Sequence, residues 1–197
     1  MMISGYKSSE RQPLLWDEPL GNHGHVRTVI GDLMEDLTAL ILGGRRHKTS
    51  AGCYCPDVSV GEEQFFESKA AGRNGQTFVY AGRLVKDRHF AFSGRRLSYV
   101  VWHHRANTLE VSTEGELRRL VLESTEAVYL VPFAEIDRVC LDRPAEPLNS
   151  AYGSTDRKTY GSGHRIPVLF LKSWMLKKFS AGVTEDEMDS WPLEDCS

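Results

Sequence analysis

From His25 the apolar positions of the chain fall at helical spacing: Val26, Val29, Ile30, Leu33, Leu37, Leu40 and Ile41. Residues three and four apart share a helix face, so the spacing predicts a helix of about five turns that stops at Gly43-Gly44. Cys53 to Val60 and Gln64 to Ala70 are short runs on either side of Gly61-Glu62-Glu63, and they read as a β-hairpin with a short loop. Gly72-Arg73-Asn74-Gly75 breaks the second strand. Beyond it, Gln76 to Val85 reads as a helix and Leu97 to His104, with Tyr99, Val100, Val101 and Trp102, as a buried strand. Leu117, Leu120 and Val121 place a short helix over Glu114 to Glu123, followed by a strand over Ala127 to Val131 and a further helical turn over Phe133 to Val139. Residues 142–163 are rich in Pro, Gly, Ser and Asn and read as loop, before a last strand over Ile166 to Leu171. The resulting order, α-β-β-α-β-α-β without internal repeat, indicates one mixed α/β domain over residues 25–182, with an N-terminal arm, 1–24, and an acidic tail, 183–197.

The hairpin carries the most informative chemistry. Alternate side chains of a strand share a face, so Glu67 and Lys69 point one way while Phe66, Ser68 and Ala70 point the other. With Gly61 to Glu63 as the loop, Val60 pairs with Gln64 and Asp57 falls opposite Glu67. Side chains directly opposed on neighbouring strands are about 5 Å apart at Cβ. Two carboxylates that close repel each other until a proton or a cation relieves them, and Mg²⁺ accepts such hard oxygens together with water and phosphate oxygens.

Pro56-Asp57 and Glu67-Ser68-Lys69, preceded by a helix bearing Glu35 and followed by Gln76, resemble the PD-(D/E)xK nucleases, the restriction-endonuclease-like superfamily that includes Holliday junction resolvases. The resemblance covers about residues 25–131 and implies a mixed sheet flanked by helices, with an α-β-β-β-α-β core. It further implies that Asp57, Glu67 and the backbone carbonyl of Ser68 hold Mg²⁺, or Mn²⁺ in its place, and that Lys69 orients the attacking water or stabilises the phosphorane. Glu35 is the candidate third carboxylate, with Asp32 and Asp36 as alternatives, and Gln76 the candidate contact to the reactive phosphate or the lysine. The implied activity is DNA phosphodiester hydrolysis, structure-selective or junction-resolving. A homodimer would place two sites on opposite strands. The alternatives are a non-catalytic nucleic-acid-binding protein and an inhibitor protein on the same fold.

Charge changes the picture only when it is divided. The whole chain has 24 Lys+Arg against 27 Asp+Glu, a net charge of −3 that by itself argues against a nucleic-acid partner. Six of those acids lie in residues 183–197 without a base, which leaves the first 182 residues at +3. Residues 68–106 hold eight Lys/Arg and one acid, a local charge of +7, and Arg157 to Lys178 hold six bases and no acid. Phosphate binding needs such concentrations. Arg73, Asn74, Arg83, Arg95, Arg96 and Lys172 are the candidate DNA contacts.

The remaining composition, 41% hydrophobic and 26% charged, is that of an ordinary globular domain. The longest aliphatic run, Ala39 to Leu42, is too short for a bilayer, and the N-terminus lacks a secretory core, so a cytoplasmic protein without membrane contact is expected. Cys53, Cys55, Cys140 and Cys196 read as reduced, inert thiols. His103 and His104 fall on opposite faces of one strand, and no motif gives either a catalytic role.

Overall fold

The structure, a computed structural model, describes residues 19–47, 54–109, 111–147, 162–171 and 174–178. Four helices are present among them: α1 (His23–Ile41), α2 (Ala81–Phe92), α3 (Glu114–Glu123) and α4 (Phe133–Leu141). The strands are β1 (Arg45–Arg46), β2 (Val58–Val60), β3 (Gln64–Ala71), β4 (Gln76–Tyr80), β5 (Arg96–His104), β6 (Thr125–Pro132), β7 (Glu146–Pro147), β8 (Ser162–Pro167) and β9 (Trp174–Lys178). They form a six-stranded mixed sheet, ordered β1-β2-β3-β5-β6-β9, and a small antiparallel sheet, ordered β4-β8-β7. The protein is therefore mixed α/β.

The main sheet is mixed because β3 runs parallel to β5, while its other neighbours are antiparallel. A parallel pair needs a crossover, supplied here by β4 and α2. Central β5 is covered on both faces, which explains its unbroken apolar run. Val100 and Trp102 join α1 and α3 residues such as Leu33, Leu37, Leu117 and Val121 in one core. Leu97, Tyr99 and Val101 join Leu84, Phe90, Phe133 and Ile136 of α2 and α4 in a second core on the opposite face.

The apolar stripe of α1 packs on the sheet as its spacing predicts, and the helix starts two residues earlier than His25. There the Asn22 side chain accepts from the N–H groups of Gly24 and His25, satisfying donors that have no intrahelical partner. Thr38, fully buried on this helix, ties it to the sheet. Its Oγ1 accepts the indole N–H of Trp102 at 2.9 Å and lies 3.1 Å from the Ser68 hydroxyl. Thr38→Val keeps the shape and strands two buried polar groups, so it is expected to cost about 1–3 kcal/mol, read from the urea unfolding midpoint. An unchanged midpoint would show that this junction contributes nothing.

Several predicted elements are corrected. Gln76 to Val85 is not one helix: β4 occupies Gln76–Tyr80 and α2 begins at Ala81. Thr77 and Val79 are buried in alternation with Gln76, Phe78 and Tyr80, a period of two that the apolar pair Phe78-Val79 obscures. β4 also has a partner remote in sequence, since Phe78 faces Arg165 and Val79 faces His164 across β8. The backbones come so close that a Cβ on Gly163 would collide with the Phe78 ring and lie 2.9 Å from the Val79 carbonyl oxygen. The last predicted strand, Ile166 to Leu171, is displaced: β8 ends at Pro167, and Val168–Phe170 form a 3-10 turn. β7 and the start of β8 lie inside the predicted 142–163 loop, and β9 was not predicted. The strand expected over Cys53 to Val60 is ordered as β2 only from Val58, while Cys53 lies outside the described residues. The predicted turn over Phe133 to Val139 is the nine-residue α4. The full order thus has four strands between α1 and α2 where two were expected. Residues 1–18 of the arm and the whole acidic tail lie outside the described residues.

Candidate functional site

The hairpin register agrees with the expected one: Val60 faces Gln64, Ser59 faces Phe65 and Val58 faces Phe66. β2 stops there, so continuing the register by one residue brings Asp57 beside Glu67. Two backbone anchors fix it. The Asp57 carbonyl accepts from His47 N–H at 2.7 Å, and its carboxylate Oδ2 accepts from Ser68 N–H at 2.8 Å. A side chain thereby closes the ladder where the partner strand has ended.

The alternation along β3 also agrees. Ser68 turns its hydroxyl to Thr38 on the α1 side, whereas Glu67 and Lys69 lie on the other face, toward α2. Glu67 is only 1% exposed and both of its oxygens are engaged: Oε1 accepts from Lys69 Nζ at 2.5 Å and Oε2 from Arg83 Nη2. A carboxylate this deep is tolerated only because two cations reach it. Burial opposes the charge on Lys69, but Glu67 and Asp57 beside it hold its pKa above the ordinary lysine value.

Asp57 lacks such compensation. Its Oδ1 has Arg83 only at 3.9 Å, and burial followed by repulsion from Glu67 pushes its pKa up to about 7, against the opposing pull of Lys69 and the Ser68 hydrogen bond. Burial is the larger cause, and the neighbouring carboxylate adds to it.

Arg83, expected as a DNA contact, is turned inward to Glu67. Besides Glu67, it lies over the Tyr54 ring at 4.4 Å and reaches the Cys55 carbonyl at 3.4 Å. Its Nε lies 3.4 Å from Asp87 Oδ1. Asp87 is fully buried and accepts the hydroxyls of both Tyr54 and Tyr99. Burial first, then Glu67, raises the Asp87 pKa against the opposing effect of the two hydroxyl donors and the nearby Arg83 charge.

The proposed third carboxylate is differently placed. Glu35 is close enough that its repulsion is felt by Asp57 and that of Glu67 is felt by Glu35. Its carboxylate, however, accepts from Arg46 Nε at 2.9 Å, and the same guanidinium binds Asp32 and, at 2.6 Å, Asp36. One arginine therefore gathers all three acids considered for that role. Among the described residues, no group of three or more His, Cys, Asp or Glu side chains is arranged to hold a metal. Gln76 opens β4 rather than a helix, and its side chain bonds to Asn74 at 3.4 Å within the Gly72 to Gly75 turn. That turn is closed by Gly75 N–H to the Gly72 carbonyl, with Gly75 at φ +63°, the left-handed region that favours glycine.

The basic blocks divide into paired and unpaired groups. Lys69 and Arg83 serve the site, Arg88 pairs with Asp137 at 2.6 Å, Arg105 with Glu126 at 2.6 Å and Arg165 with Glu146 at 3.2 Å. Arg73, Lys86, Arg95 and Arg96 are exposed and make no ion pair with a described carboxylate; Arg95 rests on the rings of Phe65 and Phe90. Asn74 is exposed, and Lys172 lies outside the described residues. Of the two histidines, burial and then His103 lower the His104 pKa to about 4, and its Nδ1 accepts Ala106 N–H at 3.3 Å. That arrangement suits a neutral core residue.

Arg46, Tyr54, Asp87 and Tyr99 were not singled out from the sequence. Only Asp87 had a local signal, four residues beyond Arg83 on one helix face. No helix among the described residues is long and apolar enough to cross a membrane. No family model, curated protein or solved structure matches the chain.

Proposed function

We propose that Asp57, Glu67 and Lys69 form the active site of a Mg²⁺-dependent DNA endonuclease of the PD-(D/E)xK type. The observation that carries this reading is the hydrogen bond from Ser68 N–H to Asp57 Oδ2, which pins one buried carboxylate beside another at the open edge of β3. A strand residue sends its N–H and C=O to the same side, so the Ser68 carbonyl leaves toward Asp57 too. Asp57 Oδ1, Glu67 Oε2 and that carbonyl are hard oxygen donors of the kind Mg²⁺ takes, and the uncompensated charge on Asp57 suits a divalent cation. A bound ion would polarise the scissile phosphate and lower the pKa of water. Lys69, held charged by Glu67, would orient that water or stabilise the phosphorane. Exposed Arg73, Arg95 and Arg96, with Asn74 in the turn beyond β3, would contact the DNA backbone. The chain order α1-β1-β2-β3-β4-α2-β5 resembles the α-β-β-β-α-β order of that superfamily once the two-residue β1 is set aside, and β4 lies in the small sheet rather than beside β3. A homodimer would place one such site on each DNA strand.

A second reading, a non-catalytic nucleic-acid-binding protein on this scaffold, is favoured by one observation: Glu67 already has two internal cations. The two readings part on a panel of linear, single-stranded, flapped and four-way-junction DNA. Cleavage of at least one substrate in Mg²⁺ and none in EDTA is expected; binding without cleavage of any substrate overturns the enzyme reading.

A further inference from the structure

Arg83 lies between two carboxylate centres, the Asp57/Glu67 pair and Asp87. Its Nη2 bonds Glu67 Oε2 and lies 3.9 Å from Asp57 Oδ1, so one end of the guanidinium stands between the two acids of the hairpin. The other end behaves differently. Nε is buried and makes no hydrogen bond among the described residues, although Asp87 Oδ1 is 3.4 Å away. Asp87 is fully buried and held by Tyr54 and Tyr99, and the guanidinium already lies over the Tyr54 ring. The side chain thus has one set of contacts made and a second carboxylate oxygen 3.4 Å from its unbonded Nε, with the guanidinium lying over an aromatic ring at 4.4 Å.

We propose that Arg83 is a resident counter-ion that a divalent cation displaces: it neutralises Glu67 when no metal is bound, and moves fully onto Asp87 when one binds. The proposal rests on the metal site put forward above. Two positive charges cannot share the space between the same two carboxylates, so arginine and metal compete for Glu67 Oε2, and the competition is a coupling free energy. Asp87 sets its size, because an acceptor for the departing guanidinium lowers the cost of the exchange. Such a device keeps two buried carboxylates from facing each other bare before the metal arrives, and it makes metal affinity tunable by a residue that is not a ligand.

The test is Mn²⁺ binding without nucleic acid, followed by the paramagnetic signal of the free ion, in wild type, Arg83→Met and Asp87→Asn, with folding checked by circular dichroism. Arg83→Met is expected to bind Mn²⁺ at least about tenfold more tightly, and Asp87→Asn several-fold more weakly than wild type. If Arg83→Met does not fold, Arg83→Gln and the opposite-signed Asp87→Asn variant carry the comparison. Wild-type binding with equal or weaker affinity in the Arg83 variant overturns the displacement and leaves the metal site standing. No Mn²⁺ binding in wild type or in any variant overturns both.

Discussion

Glu67→Ala is expected to destabilise the protein by about 3 kcal/mol or more, the largest effect of any single substitution in the site. The loss does not come from the carboxylate's own burial, which is costly. It comes from its partners: Lys69 and Arg83 are both mostly buried, and removing Glu67 leaves two cations in a low-dielectric pocket, with Asp57 and Asp87 as incomplete substitutes. Breaking one side of a buried ion pair typically costs about 3–5 kcal/mol. Glu67→Gln keeps the shape and a carbonyl acceptor, and should fall between alanine and wild type. Urea unfolding at neutral pH measures all three, and an alanine variant within about 0.5 kcal/mol of wild type would mean that the cations find other partners without cost.

Asp57→Asn is expected to act in the opposite direction. Asp57 has a folded-state pKa of about 7 against an ordinary value of 3.8, so the folded protein holds this proton more tightly than the unfolded chain. Stability attached to the group is therefore fully present below pH about 4, declines as the pH rises toward about 7, and stays at its lower level above that. Asparagine retains an acceptor for Ser68 N–H and removes the charge. Without divalent ions at pH 8 the variant should be more stable than wild type, by on the order of 2–4 kcal/mol, and near pH 4 the difference should almost vanish. A variant less stable than wild type at pH 8, or a gain that persists undiminished in acid, would contradict the electrostatic description of Asp57. Two carboxylates side by side in space thus have opposite stability signs, because Glu67 has cations on both oxygens and Asp57 has a hydrogen bond on one.

Local pattern sufficed for the hairpin and for most helices. The register follows from a short loop between two apolar runs, and with it came the placement of Asp57, Glu67 and Lys69. α1 and α3 were readable because their buried positions recur at helical spacing, and α3 also opens with a Thr113/Glu116 capping box. The strand character of β4 is hidden because it depends on β8, whose paired residues lie more than 80 positions later in the chain and which approaches so closely that position 163 must be glycine. Partner choice among charges was equally hidden. Arg46 follows Gly43-Gly44 on a two-residue strand with no periodicity, yet it gathers Asp32, Glu35 and Asp36. Arg83 belonged by composition to a basic surface stretch, and only the packing of α2 beside β3 turns it inward. Sequence counts charges, whereas pairing requires the fold.

The central claim, that the opposed carboxylates and Lys69 make a phosphodiester-hydrolysing site, is tested most directly by comparing wild type with Lys69→Ala on the same four-way-junction and linear DNA, in Mg²⁺ and in EDTA, alongside Mn²⁺ binding. Wild type should cleave only in Mg²⁺, while Lys69→Ala should bind Mn²⁺ and DNA and show no turnover. Cleavage that survives in Lys69→Ala, or DNA binding without cleavage by either protein, would contradict it.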